Sequence, residues 1–391
     1  MSEALLKKQR LGCSVSGIFG ERQTVKKIPL RIVLVSDAGN QRNGVGTYYR
    51  DLAEHLADRV EKVKMLCPSE DGDNQYGGFS FPLPGDKTQR FQIPDYFKIS
   101  REIKNFDPHI VIISTPGPFG LYGFVAAKRH KSAICIGYHT SFESLMSLYW
   151  KNIIGAAANG FMKILNRRLF RWGNVVVANN RNMVDYAARD GARRVCLMGT
   201  SISRDFLENP PDKSPERINR VVFAGRLAPE KNIPEILEAA RKLPHIDFLI
   251  AGTGPLKYFV REAERELKNV YYAGWLSRKG LRELVDSCDM LVLPSKVESF
   301  GTTALEAMAR KKLVLVSDSC GIASWPELSR GLFRMGNKEK LSESLKRLEK
   351  LTTDVLKVKS ETARNAALSL NRETLEEWVS LFRDMAVSDK K

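Results

Sequence analysis

Residues 290–318, MLVLPSKVESFGTTALEAMARKKLVLVSD, constrain the fold more than any other stretch of the chain. Met290–Leu293 and Leu313–Val316 are short apolar runs, the pattern of strands buried on both faces. Between them, Thr302–Lys311 carries the helix formers Ala304, Leu305, Glu306, Ala307, Met308 and Ala309. The unit reads strand, loop, helix, strand. Its loop, Ser295–Gly301, brings Glu298 to the carboxyl end of a strand, where open parallel sheets bind ligands. Gly301 lets the backbone come close to a ligand, and the N–H groups of Thr302 and Thr303 face an anion at a helix N-terminus. Glu298 and Glu306 can each hold two vicinal hydroxyls. Beside a phosphate site such a pair suits a nucleotide sugar, one acid for the hexose and one for the ribose. A solvated helix face carries glutamates at the same spacing, so spacing alone leaves both readings open.

The same alternation runs through the rest of the chain. Leu30–Ser36, Lys62–Cys67, His109–Ser114, Ser132–Tyr138, Asn174–Ala178 and Arg194–Met198 read as one set of strands. Val221–Ala224, Ile246–Ala251, Val270–Ala273, Met290–Leu293 and Leu313–Val316 read as a second set. Helices fill the gaps, with Asn232 and Ser277 as expected N-caps, while the Gly/Pro-rich stretch up to about 88 reads as loop. A chain of 391 residues has room for two cores. The expectation is an α/β chain of two doubly wound parallel-sheet domains. A tail covers 1–28, a first domain 29–203, a polar proline-bearing linker 204–219, a second domain 220–371, and a closing helical segment 372–391.

Other turns carry chemistry at strand ends. In Gly225–Asn232, GRLAPEKN, Arg226 and Lys231 stand five apart around a turn and can reach one diphosphate, Arg as a planar fork and Lys as a movable point charge. Gly44 and Gly46 after the first strand, and Gly252 and Gly254 after Ile246–Ala251, either present backbone N–H groups to a nucleotide or merely turn the chain. Trp275 suits either a base or the core. His139, in G-Y-H-T-S-F-E at the end of an apolar strand, is either a structural histidine or a ligand contact.

The string E-S-F-G-T-T-A-L-E-A-M-A, with G-R-L-x-x-E-K-N and the weaker N-G-V-G, resembles the retaining glycosyltransferases of GT-B fold often called family 4. The resemblance implies two Rossmann-like domains facing a cleft, the acceptor on the first, the nucleotide sugar on the second, and a closing helix that crosses back onto the first. It assigns Arg226 and Lys231 to the diphosphate, Glu298 to the hexose and Glu306 to the ribose. Phe300, Gly301, Thr302 and Thr303 belong to the donor loop, and Trp275 lies near the base. By analogy with lipid glycosyltransferases, such as phosphatidylinositol mannosyltransferases, His139 touches the transferring sugar. The donor is a GDP- or UDP-sugar. The resemblance implies that Arg226 and Lys231 carry the diphosphate charge, and no metal is expected. Two departures stand out: Asn43 replaces the first glycine of the first loop, and Arg310, Lys311 and Lys312 replace the usual Gly-x-Pro.

The formal charge of +17 is uneven, with a net of +12 over residues 1–200 and +5 over the remainder. Residues 128–194 hold twelve basic and three acidic side chains, which implies an anionic partner. Within 145–172, large apolar residues alternate with Lys163, Arg167, Arg168 and Arg171, either as core helices or as helices lying on a membrane. Six scattered cysteines fit a reducing compartment, and the N-terminus lacks a secretory apolar core. The expectation is a cytoplasmic hexosyltransferase of mannose or glucose type, peripheral on the inner face of an anionic membrane, with a lipid or glycan acceptor. Two rival readings are a GT-B nucleotide-sugar epimerase and a basic nucleic-acid-binding protein. No recognised nucleic-acid module appears, so no nucleic-acid partner is expected.

Overall fold

The computed structural model describes residues 27–39, 44–68, 75–83, 86–139, 153–336 and 338–388. Most of the expected tail, Asn43 and the 145–152 part of the apolar-basic segment lie outside the described residues.

The chain begins with β1 (Ile28–Val35), α1 (Gly44–Leu56), β2 (Val60–Leu66), β3 (Phe79–Leu83), β4 (Asp86–Ile93) and α2 (Tyr96–Phe106). It continues with β5 (Ile110–Ile113), α3 (Pro118–Arg129), β6 (Ala133–Tyr138), α4 (Ile153–Trp172), β7 (Val175–Ala178), α5 (Arg181–Arg189) and β8 (Val195–Leu197). The order β2-β1-β5-β6-β7-β8 forms one six-stranded sheet, parallel throughout. Alternate residues of β1 serve opposite faces: Val33 and Val35 enter the core beneath α3, while Ile32 and Leu34 join Tyr48, Tyr49 and Leu52 of α1. Both faces are buried, which is why the strand sequences read as unbroken apolar runs. β3 and β4 pair as an antiparallel hairpin. The hairpin stands where a loop is expected, because Pro82 and the polar run Asp86–Arg90 mask the strand pattern.

A four-residue helix, α6 (Arg204–Leu207), lies within the expected linker. The second unit runs β9 (Arg220–Ala224), α7 (Ile233–Lys242), β10 (Asp247–Ala251), α8 (Lys257–Glu266), β11 (Val270–Gly274), α9 (Arg278–Asp286) and β12 (Met290–Leu293). Then follow α10 (Thr302–Ala309), β13 (Leu313–Val316), α11 (Pro326–Ser329), β14 (Phe333–Arg334), α12 (Leu341–Leu348) and α13 (Thr353–Ser388). Its strands order as β11-β10-β9-β12-β13-β14, again all parallel. The strand order reverses direction between β9 and β12. The carboxyl ends of those two strands therefore flank the crevice where such sheets take ligands.

Ser277 caps α9 through a 3.2 Å bond from the Gly280 N–H to its Oγ. Asn232 does not cap α7. It sits in the left-handed region at φ 56°, closing the short turn Pro229–Lys231, and its side chain makes no cap bond. The residues standing where the family has Gly-x-Pro have a visible use. The Arg310 guanidinium grips Asp286 with two bonds of 2.8 and 2.7 Å, and donates to the Asn209 carbonyl at 2.7 Å, tying the linker to the second domain.

One continuous helix, α13, spans both domains. Leu356, Ala363, Ala367 and Leu370 lie in the second domain's core, whereas Leu375, Trp378, Leu381, Phe382 and Met385 lie in the first domain's. Trp378 is fully buried and donates its Nε1–H to Tyr48 Oη at 3.0 Å.

Candidate active site

The loops that follow β9 and β12 meet at the switch point. Backbone N–H groups of Lys296 and Val297 donate to the Glu230 carbonyl at 2.8 and 3.3 Å, so the basic turn and the glutamate loop are stitched together. Their side chains meet too. Lys231 Nζ and Glu298 Oε2 form an ion pair, both partners less than a fifth exposed. Arg226 Nη1 lies 3.3 Å from Oε1 of Glu230, which is buried. Burial works against the Lys231 charge, but the Glu298 carboxylate beside it outweighs burial and raises its pKa above the ordinary lysine value. The turn after β9, with Arg226 and Lys231, and the loop after β12, with Glu298, thus lie side by side at the switch point.

Gly252 and Gly254 lie in the neighbouring loop after β10. At Gly252 (φ 128°) a Cβ would stand 1.8 Å from the Gly225 carbonyl oxygen, so only glycine lets this loop press against the basic turn. Gly301 (φ 103°) begins α10 in the left-handed region and brings no side chain to cap it; Thr302 and Thr303 are the helix's first two residues. Phe300 is buried edge-to-face against Trp325 at 6.0 Å, so its ring anchors the loop to the core. Trp275 is half exposed immediately after Gly274, which separates it from the core-packing alternative. In the first domain, Gly44 and Gly46 form the first turn of α1.

Glu306 is almost fully buried. Arg278 Nη2 donates to its Oε1 at 2.6 Å, while Oε2 is buried without a hydrogen-bond partner. The same guanidinium nitrogen reaches Asp51 Oδ2 of α1 at 3.2 Å, bridging the two domains, and the guanidinium lies over the Phe206 ring at 4.9 Å. Burial pushes the Asp51 carboxyl up to about 8 against the pull of Arg278. Burial works against the Arg278 charge, but Glu306 and Asp51 beside it outweigh burial and raise its pKa.

His139 is buried within the first domain. Its Nε2 shares a 2.7 Å hydrogen bond with Tyr49 Oη, and the rings of Tyr48 and Tyr49 pack against it at 4.9 and 5.2 Å. Burial lowers its pKa to about 3, so the ring is neutral. The structure thus brings together Arg226, Lys231, Glu298 and the Gly252 loop, and holds His139 in a tyrosine cage.

Two contacts that the sequence reading missed bring the first domain onto the glutamate loop. Asn180 Nδ2 donates to the Ser299 carbonyl at 2.9 Å, and Trp325 Nε1 donates to the Asn179 carbonyl at 3.0 Å. Only the residue types at the end of the β7 strand pattern hinted at them, and asparagine there reads equally as a plain helix cap. Arg278 and Asp51 were missed because each reads locally as an ordinary helix-surface charge.

On α4 the inner face buries Leu169 and Phe170, while Phe161, Ile164 and Trp172 are more than half exposed. Lys163, Arg167, Arg168 and Arg171 are exposed on the same helix, Arg167 bonding Asp190 at 3.1 Å. The helix serves as core on one side and offers an apolar-basic surface on the other. Among the described residues no helix is long and apolar enough to cross a membrane, and no cluster of three or more His, Cys, Asp or Glu could hold a metal.

Two family models match the chain, one described as Glycosyltransferase Family 4 over residues 42–203 and one as Glycosyl transferases group 1 over residues 206–366. The chain is 25% identical to the sulfoquinovosyl transferase SQD2 of Arabidopsis thaliana over 78% of its own length, and the match spans 64% of that relative. It is 22% identical to an alpha-monoglucosyldiacylglycerol synthase of Streptococcus pneumoniae, covering 72% of this chain and 69% of that one. Among solved structures, sucrose-phosphate synthase of Thermosynechococcus elongatus superposes with a TM-score of 0.71 over 92% of this chain and 100% of that chain, at 16% identity. That likeness concerns the fold.

Proposed function

The chain belongs to the group 1 glycosyltransferases of GT-B fold, and on that premise we propose that it moves a hexose from a nucleotide-diphospho-sugar to a membrane lipid or lipid-borne glycan, with retention at the anomeric carbon. The observation that carries this reading is the Lys231–Glu298 ion pair across the β9/β12 switch point, with Arg226 on the same turn as Lys231. Arg226 and Lys231 bind the diphosphate and stabilise the charge that grows on it as the glycosidic bond to phosphate breaks. Glu298 holds the hexose hydroxyls, and Glu306 the ribose. The leaving phosphate oxygen takes the acceptor's hydroxyl proton on the same face, so the protein supplies position and electrostatics. No metal is needed where two cations already face the diphosphate.

A lipid acceptor is supported by the exposed Phe161, Ile164 and Trp172 among the bases of α4, on the domain opposite the donor site. It is also in keeping with a relative named as a diacylglycerol glycoside synthase. The working place proposed is the cytoplasmic face of an anionic membrane. A thermal-shift panel of UDP-, GDP- and ADP-sugars, with and without EDTA, followed by transfer assays on lipid extracts, tests the reading. Stabilisation by one base class and a chelator-resistant glycolipid product are the expected results. Absence of any nucleotide-sugar response would overturn it.

A further inference from the structure

The loop that carries Glu298 is held from both domains. From its own domain it is held by the Phe300 ring and by the Gly321 N–H, which donates to the Glu298 carbonyl at 2.9 Å. From the first domain it is held by the turn between β7 and α5. There the Asn180 side chain does two things at once: its Oδ1 accepts the Met183 N–H at 2.9 Å, capping α5, and its Nδ2 donates to the Ser299 carbonyl at 2.9 Å. Beside it, the Asn179 carbonyl accepts the Nε1–H of Trp325, the residue on which Phe300 packs. The two bonds therefore brace both the residue after Glu298 and the ring that anchors its loop.

We propose that Asn180 is a positioning residue for Glu298. It couples the first domain to the donor-sugar loop and sets the Glu298 carboxylate at a fixed place relative to the acceptor side of the cleft. The inference rests on the assignment of Glu298 to the hexose. Its chemical logic is that amide Oδ1 and Nδ2 have different jobs, one inside the first domain and one across the cleft. A carboxylate at 180 keeps the first and cannot perform the second, since it has no donor for the Ser299 carbonyl. The bond reaches the loop holding the transferring sugar, whereas Arg226 and Lys231, assigned to the diphosphate, stand on the turn after β9, for which no bond from Asn180 is seen among the described residues. Its loss should therefore fall on the chemical step and leave nucleotide binding alone.

The test compares Asn180→Asp, Trp325→Phe and Glu298→Gln in the full chain. Affinity for free UDP and GDP is measured by calorimetry, turnover by nucleotide release from UDP-glucose and GDP-mannose, and the melting temperature for each variant. Asn180→Asp should keep its melting temperature and its UDP or GDP affinity within twofold while turnover falls at least tenfold. Trp325→Phe, which loses the indole N–H but keeps a ring against Phe300, should fall in the same direction. The double variant should lose less than the product of the two single losses, because both bonds hold one loop. Wild-type turnover in Asn180→Asp beside an inactive Glu298→Gln would overturn this inference alone. A fall in nucleotide affinity that matches the fall in turnover would overturn it too, since the bond would then act on the whole nucleotide site. Normal turnover in Glu298→Gln would overturn the assignment of Glu298 and this inference together.

Discussion

Lys231 and Glu298, 67 positions apart in sequence, are each other's counter-ion. The proposed diphosphate ligand and the proposed hexose ligand thus neutralise one another in the protein alone, and a donor must divide them. Lys231→Ala should remove a diphosphate contact and also leave Glu298 without its cation. Loss of one such donor typically costs about 10²–10³ in turnover. Because both partners keep some solvent contact, the loss in stability should be modest, about 1–3 kcal/mol. Steady-state kinetics and urea unfolding of the variant check both figures. Unchanged turnover would remove Lys231 from the donor site.

Arg226 should be less replaceable still. Arg226→Ala and Arg226→Lys should both lower activity by about 10²-fold or more, because an ammonium cannot bridge two phosphoryl oxygens as a planar fork does. Activity should persist in EDTA. Rescue by Arg226→Lys, or strict dependence on Mg²⁺ or Mn²⁺, would shift the diphosphate charge onto other groups.

Much of this site was legible in the sequence because it is built from short local patterns. Strand ends mark where loops emerge, so Arg226, Lys231 and Glu298 fell at strand termini before any contact was known. Whether they touch depended on β9 lying beside β12, and the alternation of elements does not state strand order. Contacts between domains were not legible at all. Arg278 and Asp51 are 227 positions apart, and each reads locally as an ordinary helix-surface charge. The hairpin Phe79–Ile93 was lost for a different reason, since proline and polar residues break the alternation on which strand reading depends.

Glu306 and Arg278 should separate nucleotide binding from catalysis. Glu306→Ala should weaken free UDP or GDP binding, because it removes the buried carboxylate assigned to the ribose. Arg278→Met should also destabilise the chain, since Asp51 and Glu306 would then share a buried site with no cation between them. Breaking a buried pair in this way costs about 3–5 kcal/mol. Calorimetric affinity and chemical unfolding give the two readouts. Unchanged nucleotide affinity in Glu306→Ala would count against its assignment to the ribose.

His139 makes a prediction about acid. Its pKa in the folded chain, about 3, lies below the ordinary value of 6.5 that it regains on unfolding. The unfolded chain therefore binds a proton that the native state refuses, and stability falls as pH drops below 6.5 towards 3. The slope due to this group is at most about 1.4 kcal/mol per pH unit. His139→Asn should be less stable at neutral pH, having lost its packing between Tyr48 and Tyr49, yet lose less between pH 6 and pH 4 than wild type does. Parallel pH slopes in urea unfolding would show that the ring titrates normally.

The membrane reading is tested on α4. Phe161, Ile164 and Trp172 are exposed on that helix among Lys163, Arg167, Arg168 and Arg171. A basic residue near an anionic leaflet contributes about 1 kcal/mol, fading within a Debye length of ~8–10 Å. Arg167 contributes less than its neighbours, because Asp190 already shares its charge. Several bases acting with shallow insertion of Phe161 and Trp172 would give reversible binding without an anchor. The protein should sediment with phosphatidylserine-containing vesicles at low salt, detach at high salt and ignore phosphatidylcholine vesicles. Changing the four bases to Glu should abolish sedimentation while UDP or GDP affinity stays as in wild type, since none of them stands at the β9/β12 crevice. Phe161→Ser with Trp172→Ser should weaken binding at every salt concentration, because insertion does not depend on screening. Wild-type protein that remains in the supernatant with anionic vesicles at low salt would refute membrane docking and direct the search to a soluble anionic acceptor.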